Sequence, residues 1–233
     1  MSFTVIIPFF NEEENIDKLL NEIINSINSY KNFQILLIND ASFDKTIDHL
    51  QRIENNFPDF VKVINNKINI GQSYSLIKGI SLSEYDTIIT LDGDGQNNPA
   101  DIPRLLKEYI EGKYFLVGGL RLKRKDSKIK KLSSKLANKI RNKILQDDCV
   151  DTGCSLKVFS KKVFIKFPEF NGIHRFLPAL FKGYGYKTKF IEVDHRHRVF
   201  GKSKYGTIDR LIKGVIDLIR VYLIIKNYKK HVN

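Results

Sequence analysis

The chain has 233 residues, enough for one large domain or one domain with an appendage, and its 42% hydrophobic content builds a core and excludes a disordered chain. A formal charge of +13 calls for an anionic partner: nucleic acid, a phosphorylated ligand or an anionic membrane face. Cys149 and Cys154 make no disulfide framework and fit no zinc pattern, no run approaches ~18 apolar residues, and residues 1–10 lack a basic lead, so the expectation is a reducing compartment with no secretory signal and no spanning helix.

Residues 3–7 read as a buried strand ending at Pro8. A helix follows from Glu13 to about Ile27, with Ile16, Leu19, Leu20, Ile23, Ile24 and Ile27 on one face. The next strand, Gln34 to Ile38, ends in Asn39-Asp40, and Asp44 or Ser42 can cap a helix over Thr46 to Ile53. Val61 to Ile64 is a third strand, Gly71-Gln72 lead a helix to about Leu82, and Thr87 to Leu91 is a fourth strand. Pro99 to Glu111 reads as helix and Tyr114 to Val117 as strand. Strands alternating with helices predict an α/β fold with a parallel sheet, whose ligands gather at the carboxyl ends of the strands. Three polar clusters fall there, Asn11-Glu12, Asn39-Asp40 and Asp92-Gly93-Asp94, and together they point to a nucleotide site. No Gly-x-Gly-x-x-Gly follows the first strand and no Walker-type loop is present, which excludes a glycine-rich phosphate cradle.

In Ile88-Ile89-Thr90-Leu91-Asp92-Gly93-Asp94-Gly95-Gln96, an apolar run ends in two carboxylates one residue apart. Like charges this close repel and raise each other's pKa unless a cation lies between them. Carboxylate and amide oxygens suit magnesium or manganese, which in turn hold phosphates. An Asp/Gly turn closing a strand is the other reading. Further on, Lys and Arg crowd into 121–143 and 195–230, while the first half is comparatively balanced. From Ile208 to Ile225, apolar Ile208, Leu211, Ile212, Val215, Ile216, Ile219, Tyr222 and Leu223 recur at helical spacing, opposite Asp209, Arg210, Lys213, Asp217 and Arg220. Such a helix either packs on its own core or, ending in Lys226, Lys229 and Lys230, lies on a membrane surface.

Six blocks resemble, in order, the motifs of a known family. Pro8-Phe9-Phe10-Asn11-Glu12 is similar to Pro-x-Tyr-Asn-Glu, and Asn39 to Thr46 is similar to Asp-Asp-Gly-Ser-x-Asp-x-Thr. Asn69-Ile70-Gly71 and Asp92-Gly93-Asp94-Gly95-Gln96 with Pro99 follow; then come Asp151-Thr152-Gly153-Cys154 with Lys157 to Phe159, and His195-Arg196 through Gly201-Lys202-Ser203-Lys204-Tyr205. The chain thus resembles inverting family-2 glycosyltransferases of the GT-A fold, in the dolichol-phosphate mannose synthase branch, from Val5 to about Gly206. Phe10, Asn39 and Ala41 depart from the family's Tyr, Asp and Gly around the base pocket, which leaves the nucleotide base open.

The resemblance implies a GT-A (Rossmann-like), mostly parallel sheet flanked by helices over 1–206, with a C-terminal amphipathic helix over 207–233. It implies metal-dependent, inverting transfer of a hexose from a nucleotide sugar (GDP-mannose or UDP-glucose type) to polyprenyl or dolichyl phosphate. Pro8, Phe10, Glu12, Asp40, Asp92 and Lys202 are then donor contacts, although Asp40 serves equally as a helix-capping carboxylate. Asp92, Asp94 and Gln96 are the candidate ligands for Mg2+ or Mn2+, and Asp92, Asp94 and Arg121 the candidate catalytic set. A lipid phosphate is ionised near neutral pH and needs cations rather than a general base. Arg121 is the implied acceptor-phosphate contact, with Lys131, Ser134 and Lys135 behind it, or else 123–143 is largely a solvated helix face. His195, Arg196, Arg198, Lys202 and Lys204 suit a loop closing over a diphosphate, or a nucleic-acid patch. His174-Arg175 opens a further helix, either near the lipid or in a structural role. The expected partners are the donor, the lipid phosphate, a membrane surface on its cytoplasmic face and a possible membrane-protein subunit. The competing readings are a non-processive transferase acting on a sugar hydroxyl and a basic nucleic-acid-binding protein. Acidic strand ends repel a phosphate backbone, so no nucleic-acid partner is expected. The chain has no Trp, which excludes the processive synthases with their Gln-x-x-Arg-Trp motif.

Overall fold

The computed structural model describes residues 1–121, 139–197 and 207–232. The elements in chain order are β1 (Ser2–Phe9), α1 (Ile16–Ile27), β2 (Asn32–Asn39), α2 (Thr46–Asn56), β3 (Val61–Asn65), α3 (Gly71–Leu82) and β4 (Thr87–Thr90). A 3-10 turn at Pro99–Asp101 leads into α4 (Ile102–Glu111), then β5 (Leu116–Leu120) and a helical stretch over 139–145, labelled α5. β6 (Lys157–Ser160), α6 (Lys161–Phe164), α7 (Ile173–Gly183), β7 (Thr188–Glu192) and α8 (Thr207–Val232) complete the chain.

The seven strands form one sheet in the order β3-β2-β1-β4-β6-β5-β7. β1, β2, β3 and β4 are mutually parallel, as the alternation predicts, whereas β6 runs antiparallel to both β4 and β5. Alternate residues of the buried strands feed two cores. Phe3, Val5 and Ile7 face α1 and α4, while Ile6 joins Leu36, Ile38 and Ile88 against α3 and α7. The sheet is therefore a middle layer between helices, a GT-A type architecture.

Two boundaries differ from the sequence expectation. β1 runs through Pro8, which pairs with Ile38 on β2. The β1–β4 ladder stops at Ile6, so Pro8 has a strand on one side only and its missing N–H costs the sheet little. The strand expected over 114–117 lies instead at Leu116–Leu120, because Gly118 and Gly119 pair on and give room to Phe190 and Val193.

α8 packs on α7 so closely that a Cβ on Gly183 would fall 2.6 Å from Ile225. Val221 and Ile225 are buried there, and Tyr184 stacks on Tyr228 with centroids 3.7 Å apart. The buried Asp217 pairs with Arg175 on α7 and with Arg220. Of the predicted apolar stripe, Val215, Ile216, Ile219, Tyr222 and Leu223 face outward and are 44–57% exposed, while the side chains of Ile208, Leu211 and Ile212 lie outside the described ones. Among the described residues no helix is long and apolar enough to cross a membrane.

Candidate active site

The carboxyl ends of β1, β2 and β4 lie side by side and bring the three predicted polar clusters together. The loops after β1 and β2 are joined by hydrogen bonds. The amides of Asn11 and Glu12 donate to Ser42 Oγ (3.0 Å) and Thr46 Oγ1 (2.9 Å), and Phe43 N donates to Asn11 Oδ1 (3.0 Å). Glu12 is buried and accepts from Asn15 Nδ2, whereas Pro8 and Phe10 are half-buried. The Phe10 ring meets Phe43 edge to face at 5.9 Å, and Phe43 is 84% exposed at the rim. Ala41 has φ 58, in the left-handed region where glycine is at ease.

Asp40 is 3% exposed and its carboxylate is committed to the fold. Oδ1 accepts from Asn66 Nδ2 and Ile70 N (both 2.9 Å), and Oδ2 from Gly71 N (2.8 Å). These amides open α3, whose orphan donors need such a partner, so the helix-capping alternative describes Asp40's contacts.

The β4 loop carries the paired carboxylates. Asp92 N donates to Ser155 Oγ at 3.1 Å, and Gln72 Nε2 donates to Asp92 Oδ1 at 2.6 Å. Asp94 Oδ1 accepts from Gln96 N at 3.1 Å. Gly93 lets this loop lie against the end of β1, because a Cβ there would fall 2.5 Å from the Phe9 ring and 3.1 Å from the Pro8 carbonyl. Burial and then the Asp94 charge push the Asp92 carboxyl from 3.8 up to about 6, against the Ser155 hydrogen bond and the pull of Lys157 and Arg121. A pair so disfavoured as two anions, with hard oxygens from Asp92, Asp94 and Gln96, fits Mg2+ or Mn2+.

Arg121, at the end of β5, is held in a two-pronged pair with Asp151. Nε donates to Oδ2 at 2.7 Å and Nη2 to Oδ1 at 2.9 Å, while Arg121 N also donates to Oδ2. Burial opposes the guanidinium charge, but the bonds to Asp151 outweigh it and raise the pKa beyond its usual value. Gly153 gives this side chain room, since a Cβ there would fall 2.8 Å from Arg121 Nη2. Beneath lies Lys157, buried and donating to the Cys154 carbonyl, with burial lowering its pKa. The 195–197 segment is tied to the Asp92 loop. Asn97 and His195 form a bridge, Arg196 N donates to Gln96 O (2.9 Å), and the Arg196 guanidinium reaches Asn98 and Glu22. His195 Nε2 lies 3.4 Å from Gln96 Nε2.

Among the described residues, the loops after β1 and β4 bring Pro8, Phe10 and Glu12 to the same end of the sheet as Asp92, Asp94 and Gln96, with the Arg121 charge close enough to act on Asp92. Lys131, Ser134 and Lys135, like Arg198, Lys202 and Lys204, lie outside the described residues. Gln72, Ser155, Asn97 and the Asp151 carboxylate were missed as site residues. Asp151 fell within a recognised block, whereas an amide opening a helix carries no signal of its own.

The model of glycosyl transferase family 2 matches residues 4–167. The chain belongs to that family. It is 33% identical over 220 residues to undecaprenyl-phosphate 4-deoxy-4-formamido-L-arabinose transferase of Proteus mirabilis (strain HI4320), covering 93% of this chain and 66% of the relative. To dodecaprenyl-phosphate galacturonate synthase of Rhizobium johnstonii it is 30% identical over 225 residues, covering 95% and 66%. The chain therefore spans slightly less than two thirds of the length of these relatives. Neither relative is named for mannose, so the mannose synthase branch is not singled out. In fold it is similar to mannosyl-3-phosphoglycerate synthase from Rubrobacter xylanophilus, with TM-score 0.71, 14% identity, and 94% of this chain and 73% of that chain covered. A mannosyltransferase from Pyrobaculum calidifontis, solved with GDP-Man and Mn2+, gives TM-score 0.65 at 15% identity, covering 94% and 64%.

Proposed function

We propose that this family-2 glycosyltransferase moves a sugar from a nucleoside diphosphate, with inversion, onto a polyprenyl phosphate. The observation that carries the reading is the paired carboxylates Asp92 and Asp94 just past the carboxyl end of the central strand β4, with the fixed guanidinium of Arg121 nearby. The names of the curated relatives support the acceptor class. Asp92, Asp94 and Gln96 are the residues to hold Mg2+ or Mn2+; when bound, the ion offsets negative charge building on the departing diphosphate. Pro8, Phe10 and Glu12 line the donor side, where Phe10 and Phe43 offer ring faces to a base. A phosphate oxygen of the acceptor attacks the anomeric carbon as the bond to the diphosphate breaks, and the nucleoside diphosphate leaves with the electron pair. The acceptor enters as an anion, so no side chain has to remove a proton. Arg121, held by Asp151 rather than free to swing, supplies a fixed positive charge for it.

The exposed stripe of α8, flanked by the exposed Lys213, Lys226, Lys229 and Lys230, suits an anionic membrane surface. We place the protein there, peripherally on the cytoplasmic face where nucleotide sugars are made. The test supplies a panel of UDP- and GDP-sugars with Mn2+ and a short polyprenyl phosphate and measures nucleoside diphosphate release. Release from one donor that requires the lipid phosphate supports the reading. Release that requires a glycan hydroxyl instead overturns the acceptor.

A further inference from the structure

Gln72 has no role in the reading above, yet its side chain makes a short hydrogen bond to one of the paired carboxylates. Its Nε2 donates to Asp92 Oδ1 at 2.6 Å. The residues on either side of it are fixed by distant parts of the chain. On one side Gly71 has φ 82 and its amide donates to Asp40 Oδ2 at 2.8 Å, with Ile70 N on Oδ1. On the other, Ser73 is buried, its Oγ lies 2.7 Å from His174 Nδ1 and accepts from Gly172 N at 2.7 Å. The first turn of α3 is thus held to the end of β2 and to the start of α7, and Gln72 projects from between these two anchors. Asp92 is held from the other direction, its own amide donating to Ser155 Oγ.

We propose that Gln72 is a positioning residue for the transfer: its amide N–H fixes the rotamer of Asp92, so that this carboxylate meets the metal and diphosphate in one orientation. The inference rests on the proposed role of Asp92 as a ligand. A carboxylate beside a second carboxylate turns away from it when nothing restrains its χ angles. A donor on Oδ1 removes that freedom and leaves lone pairs on both oxygens for the incoming cation. Partners of this kind, one bond behind the ligand, set affinity through orientation rather than contact. The anchoring also gives Asp40 its function: it steadies the helical turn that carries Gln72.

The experiment compares the wild-type chain with Gln72→Met, which keeps the length and loses the donor, and with Gln72→Ala. Free Mn2+ is followed by electron paramagnetic resonance during titration of the protein with Mn2+ in the presence of UDP, and separately of GDP. Thermal unfolding in chelator is recorded for each variant. The expected result is a ~10- to 100-fold weaker Mn2+ affinity in both variants, with Gln72→Met still unfolding in one cooperative transition. Wild-type affinity in Gln72→Met overturns the positioning role while leaving the reading of the site intact. Wild-type protein that takes up no Mn2+ with either nucleotide overturns both. A Gln72→Met variant that loses melting temperature but keeps its Mn2+ affinity assigns Gln72 to the fold alone and also overturns the proposal.

Discussion

Asp92→Asn is predicted to stabilise the metal-free protein while abolishing its chemistry. In the native chain burial and the Asp94 charge lift the Asp92 carboxyl from 3.8 to about 6. At neutral pH the folded protein therefore carries an anion that the unfolded chain holds more comfortably. About two pKa units at about 1.4 kcal/mol each put the cost at about 3 kcal/mol. Because the folded pKa is the higher one, the related stability is fully present below pH 3.8 and is lost as pH rises through about 6. Asparagine keeps the oxygen that accepts from Gln72 and removes the charge. Thermal unfolding in EDTA at pH 7 should show Asp92→Asn more stable than wild type by up to about 3 kcal/mol, or roughly 6–12 °C for a domain of this size. The gain should shrink steadily below pH 6 and vanish near pH 4. With Mn2+ and nucleotide added, the wild type should recover by linkage and the variant should not. A variant that is less stable than wild type at pH 7 in EDTA, or equally stable, refutes the reasoning.

Asp40→Ala removes the acceptor for Asn66, Ile70 and Gly71. Urea unfolding should show a loss on the order of 3 kcal/mol, the cost of several buried donors left unpaired; a loss under 1 kcal/mol contradicts the bracing role. Asp151→Ala leaves the buried Arg121 guanidinium without its carboxylate, and the expected cost is about 3–5 kcal/mol with reduced transfer activity. The double change Ile219→Asp and Leu223→Asp falls on exposed positions, so the melting temperature should hold while co-sedimentation with anionic vesicles is lost. Undiminished sedimentation would assign that face to another partner.

The parallel half of the sheet was legible because its strands are buried on both faces and read as apolar runs that end in polar clusters. β6 was not legible. Its four residues begin with Lys157, which looks like a surface lysine but is 4% exposed, and its antiparallel pairing with Thr87–Thr90 follows no local signal. Periodicity revealed the apolar stripe on α8 but could not tell which way it faces. The packed side is instead built around Asp217, Val221 and Ile225, with the buried charge met by Arg175 and Arg220. At the site, the paired carboxylates stood out because charge at a strand end is conspicuous, whereas Arg121 was implied by the family resemblance. The residues that hold them were silent: Asp40's partners lie 26 to 31 positions away, and Gln72 reaches Asp92 across 20.

The most direct test of the central claim is mass spectrometry of lipid extracted after incubating the protein with Mn2+, a short polyprenyl phosphate and each nucleotide sugar in turn. The account predicts a polyprenyl phosphate heavier by a single sugar unit, formed from one donor and absent with Asp94→Ala. Unchanged lipid with every donor, while the wild-type protein still binds one nucleotide in the presence of metal, would contradict it.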